Sequence, residues 1–213
     1  MNAPTSNPVT FLTNEPHRRG ISWLVFHSVA LWRYLGVFFF SRFISLLGSV
    51  STPGMKPVGF LQAWALRRMG ADCQSNEIWI GPHVDFDYPN HLVFGKRIVI
   101  GANSRITARG TIRVGDDFLS APGLYINTGS HDLATLVPTD GPITIGPSVW
   151  CGLRVTLCAG VTIGEGAVIG AGSVVNKDIP PRHVAVGVPC KPSRNIEHLR
   201  TPGKSLWTNF PKR

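Results

Sequence analysis

Acidic side chains are scarce in this sequence: 12 Asp and Glu stand against 21 Lys and Arg among 213 residues, a formal net charge of +9. Charged residues of all kinds make up only 15% of the chain against 43% hydrophobic, which excludes a disordered protein and allows a sizeable core. Cysteine is sparse as well. Cys73, Cys151, Cys158 and Cys190 fit neither a CxxC metal site nor a dense disulfide framework, so free thiols are expected. No signal-peptide pattern opens the sequence, and the expected setting is the cytoplasm. No nucleic-acid-binding motif accompanies the basic total, so a nucleic-acid partner is not expected.

The few acids are unevenly placed. Residues 1–75 hold seven Lys and Arg against two Asp and Glu, residues 76–175 six against eight, and residues 176–213 eight against two. The positive charge therefore lies at the two ends. Such ends suit a phosphate-bearing ligand or an anionic membrane surface, and equally a merely solvated surface.

A long uncharged apolar run is also missing. The segment Ile21–Val50 is rich in Phe, Trp and Leu, but Arg33 and Arg42 interrupt it, leaving no uncharged stretch of the roughly 18 residues that a spanning helix needs. Two alternatives remain for a helical arm over 21–70: it packs on the rest of the protein, or it lies in a membrane interface with Arg18, Arg19, Arg33 and Arg42 near headgroups. The second would place the protein at the inner face of the membrane. Residues 1–20 are expected to form a flexible N-terminus and residues 193–213 a basic tail.

What is abundant is periodicity. From Ile145 an apolar residue opens every sixth position, at Ile145, Cys151, Leu157, Ile163, Ile169 and Val175, and a second small or apolar series runs through Val149, Val155, Val161, Ala167, Ser173 and Ile179. A fixed period marks stacked repeats, and a period of six with Gly146, Gly152, Gly164 and Gly170 beside the openers suits short strands with glycine-turned corners better than an α-helix. Weaker matches at Ile100-Gly101, Ile106 and Val114-Gly115 extend the pattern upstream toward Ile78. The predicted domain covers 71–192, with an excursion loop over 131–142.

The run Ile163-Gly164-Glu165-Gly166-Ala167-Val168-Ile169-Gly170 resembles the hexapeptide-repeat acyltransferases. Gly129-Ser130-His131-Asp132, Val149-Trp150, Ala159-Gly160-Val161-Thr162-Ile163-Gly164, Lys177-Asp178-Ile179-Pro180-Pro181 and Gly187-Val188-Pro189-Cys190 follow one another as in galactoside and maltose acetyltransferases. The aromatic arm and Asp87-Tyr88-Pro89 resemble the colanic acid biosynthesis acetyltransferases most closely. The resemblance implies an all-β fold, a left-handed parallel β-helix, with acetyl-CoA as co-substrate, no metal, and a homotrimer whose active sites lie between subunits.

Transfer of an acetyl group from a thioester to a hydroxyl needs a base, and histidine accepts and returns a proton near neutral pH. Of seven histidines, only His131 stands where the repeat breaks into an excursion; alone, that position suits a loop residue as well as a base. By resemblance His131 is the general base, the amide of Leu153 the oxyanion donor, Trp150, Ala159 and Gly160 the pantetheine surface, and Lys177, Lys191 and Arg194 the nucleotide contacts. Asp132 is either an orienting partner for the imidazole or a turn former. Asp85, Asp87, Asn103, Arg105, Tyr125 and Asn127, on coils leading to His131, are candidates for sugar hydroxyls. A zinc enzyme of the same repeat type would need closely spaced ligand histidines, and the residue five beyond His131 is Leu136. The expected reaction is O-acetylation of a glycan or lipid-linked saccharide. An N-acetyltransferase of an amino sugar and a non-catalytic scaffold for polysaccharide assembly are the alternatives.

Overall fold

The computed structural model describes residues 21–51, 53 and 55–199, with side chains of the first helix from Leu35 onward. The expectations for residues 1–20 and for 200–213, and for the side chains of Arg18, Arg19 and Arg33, lie outside the described residues. The chain forms two compact units, Met1–Gly36 and Val37–Arg213. In the first, what is described is the opening backbone of helix α1 (Ile21–Ser49); the second holds the rest of α1, helix α2 (Lys56–Arg68) and the repeat domain.

The repeat is a left-handed parallel β-helix. Its short strands stack into three faces. Face A carries Asp72–Cys73, Leu92–Phe94, Ile112–Val114, Ile143–Ile145 and Thr162–Ile163. Face B carries Ile78–Ile80, Ile98–Ile100, Leu119–Ser120, Trp150–Cys151, Val168–Ile169 and His183–Val186, closed by the antiparallel Lys191–Asn195. Face C carries Asp85–Asp87, Arg105–Thr107, Tyr125–Asn127, Thr156–Leu157 and Val174–Val175. The first rung, Asp72 and Cys73 beside Val93 and Phe94, precedes Ile78 by one strand.

Both hexapeptide series point inward. Val149, Cys151, Val155, Leu157, Ile163, Ala167, Ile169, Ser173 and Val175 are fully buried, and the residue between each pair, such as Trp150, faces out, as strand alternation requires. Burial also pushes the Cys151 thiol up to about 12, so it is an inert core residue and no thiolate nucleophile.

The glycines beside the openers act differently from the sequence expectation. A Cβ on Gly152 would lie 2.7 Å from the backbone nitrogen of Ala171 in the next coil, so the glycine permits close stacking. The left-handed corner falls two residues later, at Ser148, Arg154, Gly160, Gly166 and Gly172, again six apart. Arg154 holds φ 53° there although only glycine takes that region without steric cost.

The two helices cover the first coil. Ile44, Ser41 and Gly48 on α1 and Gln62, Ala63 and Leu66 on α2 are buried, one stripe from each helix. Gln62, fully buried, donates to the carbonyls of Ile44 and Ile80 and accepts from the Ile80 amide at 3.0 Å. Its amide thus imitates a further strand on the open edge of face B, which would otherwise expose unpaired backbone groups.

Candidate active site

Face C is polar on its outer side. The register aligns Asp85, Arg105, Tyr125 and Thr156 in one ladder and Asp87, Thr107 and Asn127 in a second, two residues along. Asp87 Oδ2 accepts from Arg105 Nη2 and from Thr107 Oγ1, each at 2.9 Å, and Asn127 Oδ1 accepts from the Gly129 amide. Tyr125 is about half exposed, at 53%. Asn103 occupies the corner between faces B and C with φ 55°.

At the end of Tyr125–Asn127 the chain leaves the coil. Thr128 is fully buried and its hydroxyl joins the Gly110 amide to the Thr107 carbonyl, which anchors the departure point. The excursion is an antiparallel hairpin: Gly129–His131 pairs with Pro138–Asp140, His131 opposite Pro138. Its return leg lands on the next coil, where the Gly160 amide donates to the Gly141 carbonyl at 3.1 Å and a Cβ on Gly141 would meet Gly160 nitrogen at 2.5 Å. Ala159 and Gly160 are therefore the seat of the hairpin that carries His131, and Lys177 follows one coil later on the same corner between faces C and A. Asp178 there accepts from the Thr162 amide at 2.7 Å and leaves Lys177 exposed.

The His131 ring is exposed and has no hydrogen-bond partner among the described residues. The Asp132 carboxylate is hydrogen-bonded elsewhere. Its Oδ1 accepts from the amides of Ala134 and Thr135 and from Thr135 Oγ1, at 3.1, 2.8 and 2.8 Å, a side-chain cap on the hairpin turn. These donors, the Thr135 hydroxyl first, hold the Asp132 carboxyl below its ordinary value. A depressed carboxylate pKa means that this support for the turn is present above the usual carboxylate range and is lost as pH falls through the lowered value. Asp132→Asn keeps the accepting oxygen, so kcat is expected to stay within about threefold of wild type with the pH profile unmoved. A displaced kcat–pH profile would instead make Asp132 the imidazole's orienting partner.

The remaining site residues lie elsewhere on the prism. Trp150, 44% exposed, is aligned through Val168 and Val184 with Arg194, so both sit on face B, about three strand spacings or roughly 14 Å apart. Lys191, on the same closing strand, is exposed opposite Val186. Leu153 stands at the corner between faces B and C; its carbonyl accepts from the Gly172 amide at 2.7 Å, and its own N–H meets no acceptor among the described residues. Ala171 repeats that open amide one coil on. One chain thus presents two groups: His131, Ala159, Gly160 and Lys177 along one edge, and Trp150 and Arg194 on another face, with Leu153 across face C from the hairpin.

Arg109 escaped the sequence reading. It lies on the coil before the hairpin, against Gly129, and its Nε meets Asp140 Oδ1 at 3.3 Å across the hairpin base. The signal available was the coil length: Gly141, Ala159 and Lys177 are 18 residues apart in turn, three hexapeptides per coil, and the corner one coil upstream of the hairpin is Ala108-Arg109-Gly110. Among the described residues no group of three His, Cys, Asp or Glu side chains is placed to hold a metal ion.

The chain is thus a β-helix of stacked hexapeptide coils with one hairpin carrying an exposed histidine. The chain is 36% identical over 162 residues to a putative acetyltransferase of Schizosaccharomyces pombe, covering 74% of this chain and 78% of that protein. It is 41% identical over 123 residues to galactoside O-acetyltransferase of Escherichia coli (strain K12), covering 55% of this chain and 61% of that enzyme, so the match spans under two thirds of its length. Among solved structures, a galactoside acetyltransferase in complex with coenzyme A matches at 31% identity and TM-score 0.60, over 77% of this chain and 84% of that one. A maltose O-acetyltransferase from Clostridium difficile 630 matches at 29% and 0.62, over 78% and 89%. No family model matches the chain. The chain belongs to the hexapeptide-repeat acetyltransferases.

Proposed function

We propose that the protein transfers acetyl from acetyl-CoA to a hydroxyl of a saccharide, in a homotrimer whose active sites lie between subunits. The observation that carries this reading is His131, an exposed imidazole on a hairpin seated on Ala159 and Gly160 and flanked by the polar ladders of face C. His131 takes the proton of the acceptor hydroxyl as its oxygen attacks the thioester carbonyl carbon. The open amide of Leu153 holds the oxyanion of the tetrahedral intermediate. As that intermediate collapses the carbon–sulfur bond breaks, and the imidazolium returns its proton to the departing thiolate, so the histidine ends as it began. Trp150, Ala159 and Gly160 line the pantetheine arm, and Lys177, Lys191 and Arg194 meet its phosphates as cations.

Two features support the trimer. The donor residues are divided between face B and the edge between C and A, which fits donor and acceptor groups meeting across a subunit boundary. The hairpin tip also carries Leu133 at 95% exposure together with exposed Leu136 and Val137, apolar surface that a neighbour would cover. Asp85, Asp87, Asn103, Arg105, Tyr125 and Asn127 supply the acceptor's hydrogen bonds, with the Asp87–Arg105 pair holding both side chains in place.

The test is release of free coenzyme A thiol from acetyl-CoA with candidate saccharides, on protein whose size is measured by light scattering. Saccharide-dependent thiol release by a trimer is expected. Saccharide-independent hydrolysis, no release across neutral and charged glycans, or a stable monomer would contradict the reading.

A further inference from the structure

Away from the hairpin that carries His131, the described residues of the two helices leave apolar side chains uncovered. On α1, Phe39 and Leu46 lie seven residues apart on the side opposite Ser41, Ile44 and Gly48, with Val50 just past the helix end, and the three are 65%, 62% and 70% exposed. On α2, Phe60, Leu61 and Trp64 are exposed on the side opposite Gln62, Ala63 and Leu66. Edge-to-face ring contacts from Phe39 to Phe40 and from Phe40 to Trp64 join the two helices into one aromatic surface.

Cations lie on these rings. The Arg42 guanidinium sits 5.2 Å above Phe38 and that of Arg68 5.5 Å above Trp64, each with an apolar stem along the surface and a charge at its rim. Arg67, by contrast, is engaged in fixing the Cys73 carbonyl and Asn76. No Asp or Glu occurs anywhere from Pro16 to Ala71. No described helix is long and apolar enough to cross a membrane.

We propose that this face docks on the surface of an anionic lipid bilayer, with Phe38, Phe39, Leu46, Val50, Phe60 and Trp64 in the interface and Arg42 and Arg68 at the headgroups. Aromatic rings settle at the boundary of headgroups and acyl chains, and basic side chains beside them gain from anionic lipid. A second copy fits poorly, since self-packing would set an acid-free basic face against itself. Gln62 and the buried stripes hold both helices firmly on the first coil, so the surface is rigid. Docking does not depend on the acetyl-transfer reading, and its failure would leave that reading untouched.

The full-length protein is to be sedimented with vesicles of phosphatidylcholine alone and of equal parts phosphatidylcholine and phosphatidylglycerol, at low and high salt. Binding is expected to the anionic vesicles at low salt, weakening as salt screens the headgroups. Arg42→Gln with Arg68→Gln is expected to lower the partition coefficient by about thirtyfold, because each near-surface basic residue is worth about fivefold. Phe38→Ser with Phe39→Ser is expected to lower it as well, both side chains being exposed, with circular dichroism unchanged. The proposal is overturned by absence of vesicle binding at low salt, by equal binding to both lipid compositions, or by variants that bind as wild type. A change of oligomer size in the aromatic variant would overturn it too, by making a second copy the occupant.

Discussion

His131→Ala is expected to lower kcat by about 10²–10⁴-fold while leaving KM for acetyl-CoA nearly unchanged, the scale on which a positioned base contributes to acyl transfer. The structure makes the substitution clean. His131 lies on an exposed hairpin strand, contributes no ring hydrogen bond to the described residues, and is absent from the buried core, so the coils and the Ala159–Gly160 seat persist without it. Circular dichroism and oligomer size are expected to stay as in wild type. Retention of more than about a third of wild-type kcat, far above what loss of a base leaves, would make His131 a mere loop residue.

Arg194→Ala is expected to have the complementary effect, raising KM for acetyl-CoA by about 10- to 100-fold with kcat little changed. A charge-assisted bond to phosphate is worth about 1.5–3 kcal/mol, and a contact distant from the reacting atoms is made equally in ground and transition states. Arg194 is exposed on the closing antiparallel strand, aligned with Val184 and Trp150 on face B, so its removal leaves no buried partner unsatisfied. Steady-state kinetics over a range of acetyl-CoA concentration separates the two variants. Equal losses of kcat in both would remove the division between a base and a binding cation.

The β-helix was legible because each coil obeys one local rule many times over. Two inward residues per hexapeptide at positions such as Val149 and Cys151 can satisfy no other packing, and a period of six survives any single weak match. The turn chemistry was harder to read. Gly152 suggested the residue that turns the corner, whereas the corner residue with positive φ is Arg154, where stacking against the previous coil dictates a conformation that the side chain disfavours.

At the site, His131 stood out because a break in the period is itself visible. The hairpin's internal structure was not, since Asp132–Pro142 has neither alternation nor apolar period, and the choice between Asp132 as turn cap and as imidazole partner depends on where Ala134 and Thr135 fold back. Arg109 and Asp140 are 31 positions apart and meet only because stacked coils bring corners together. The division of Ala159, Gly160 and Lys177 from Trp150 and Arg194 likewise follows from which of three faces each residue lands on.

Acetyl transfer to a saccharide hydroxyl is read out by mass spectrometry of a glycan acceptor after incubation with acetyl-CoA and the protein, before and after mild alkali. Acetyl added to the glycan and removed by alkali, and absent with His131→Ala, is the predicted result. Acetyl that survives alkali as an amide, or a glycan left unmodified while His131→Ala behaves as wild type, would rule out O-acetylation with His131 as base.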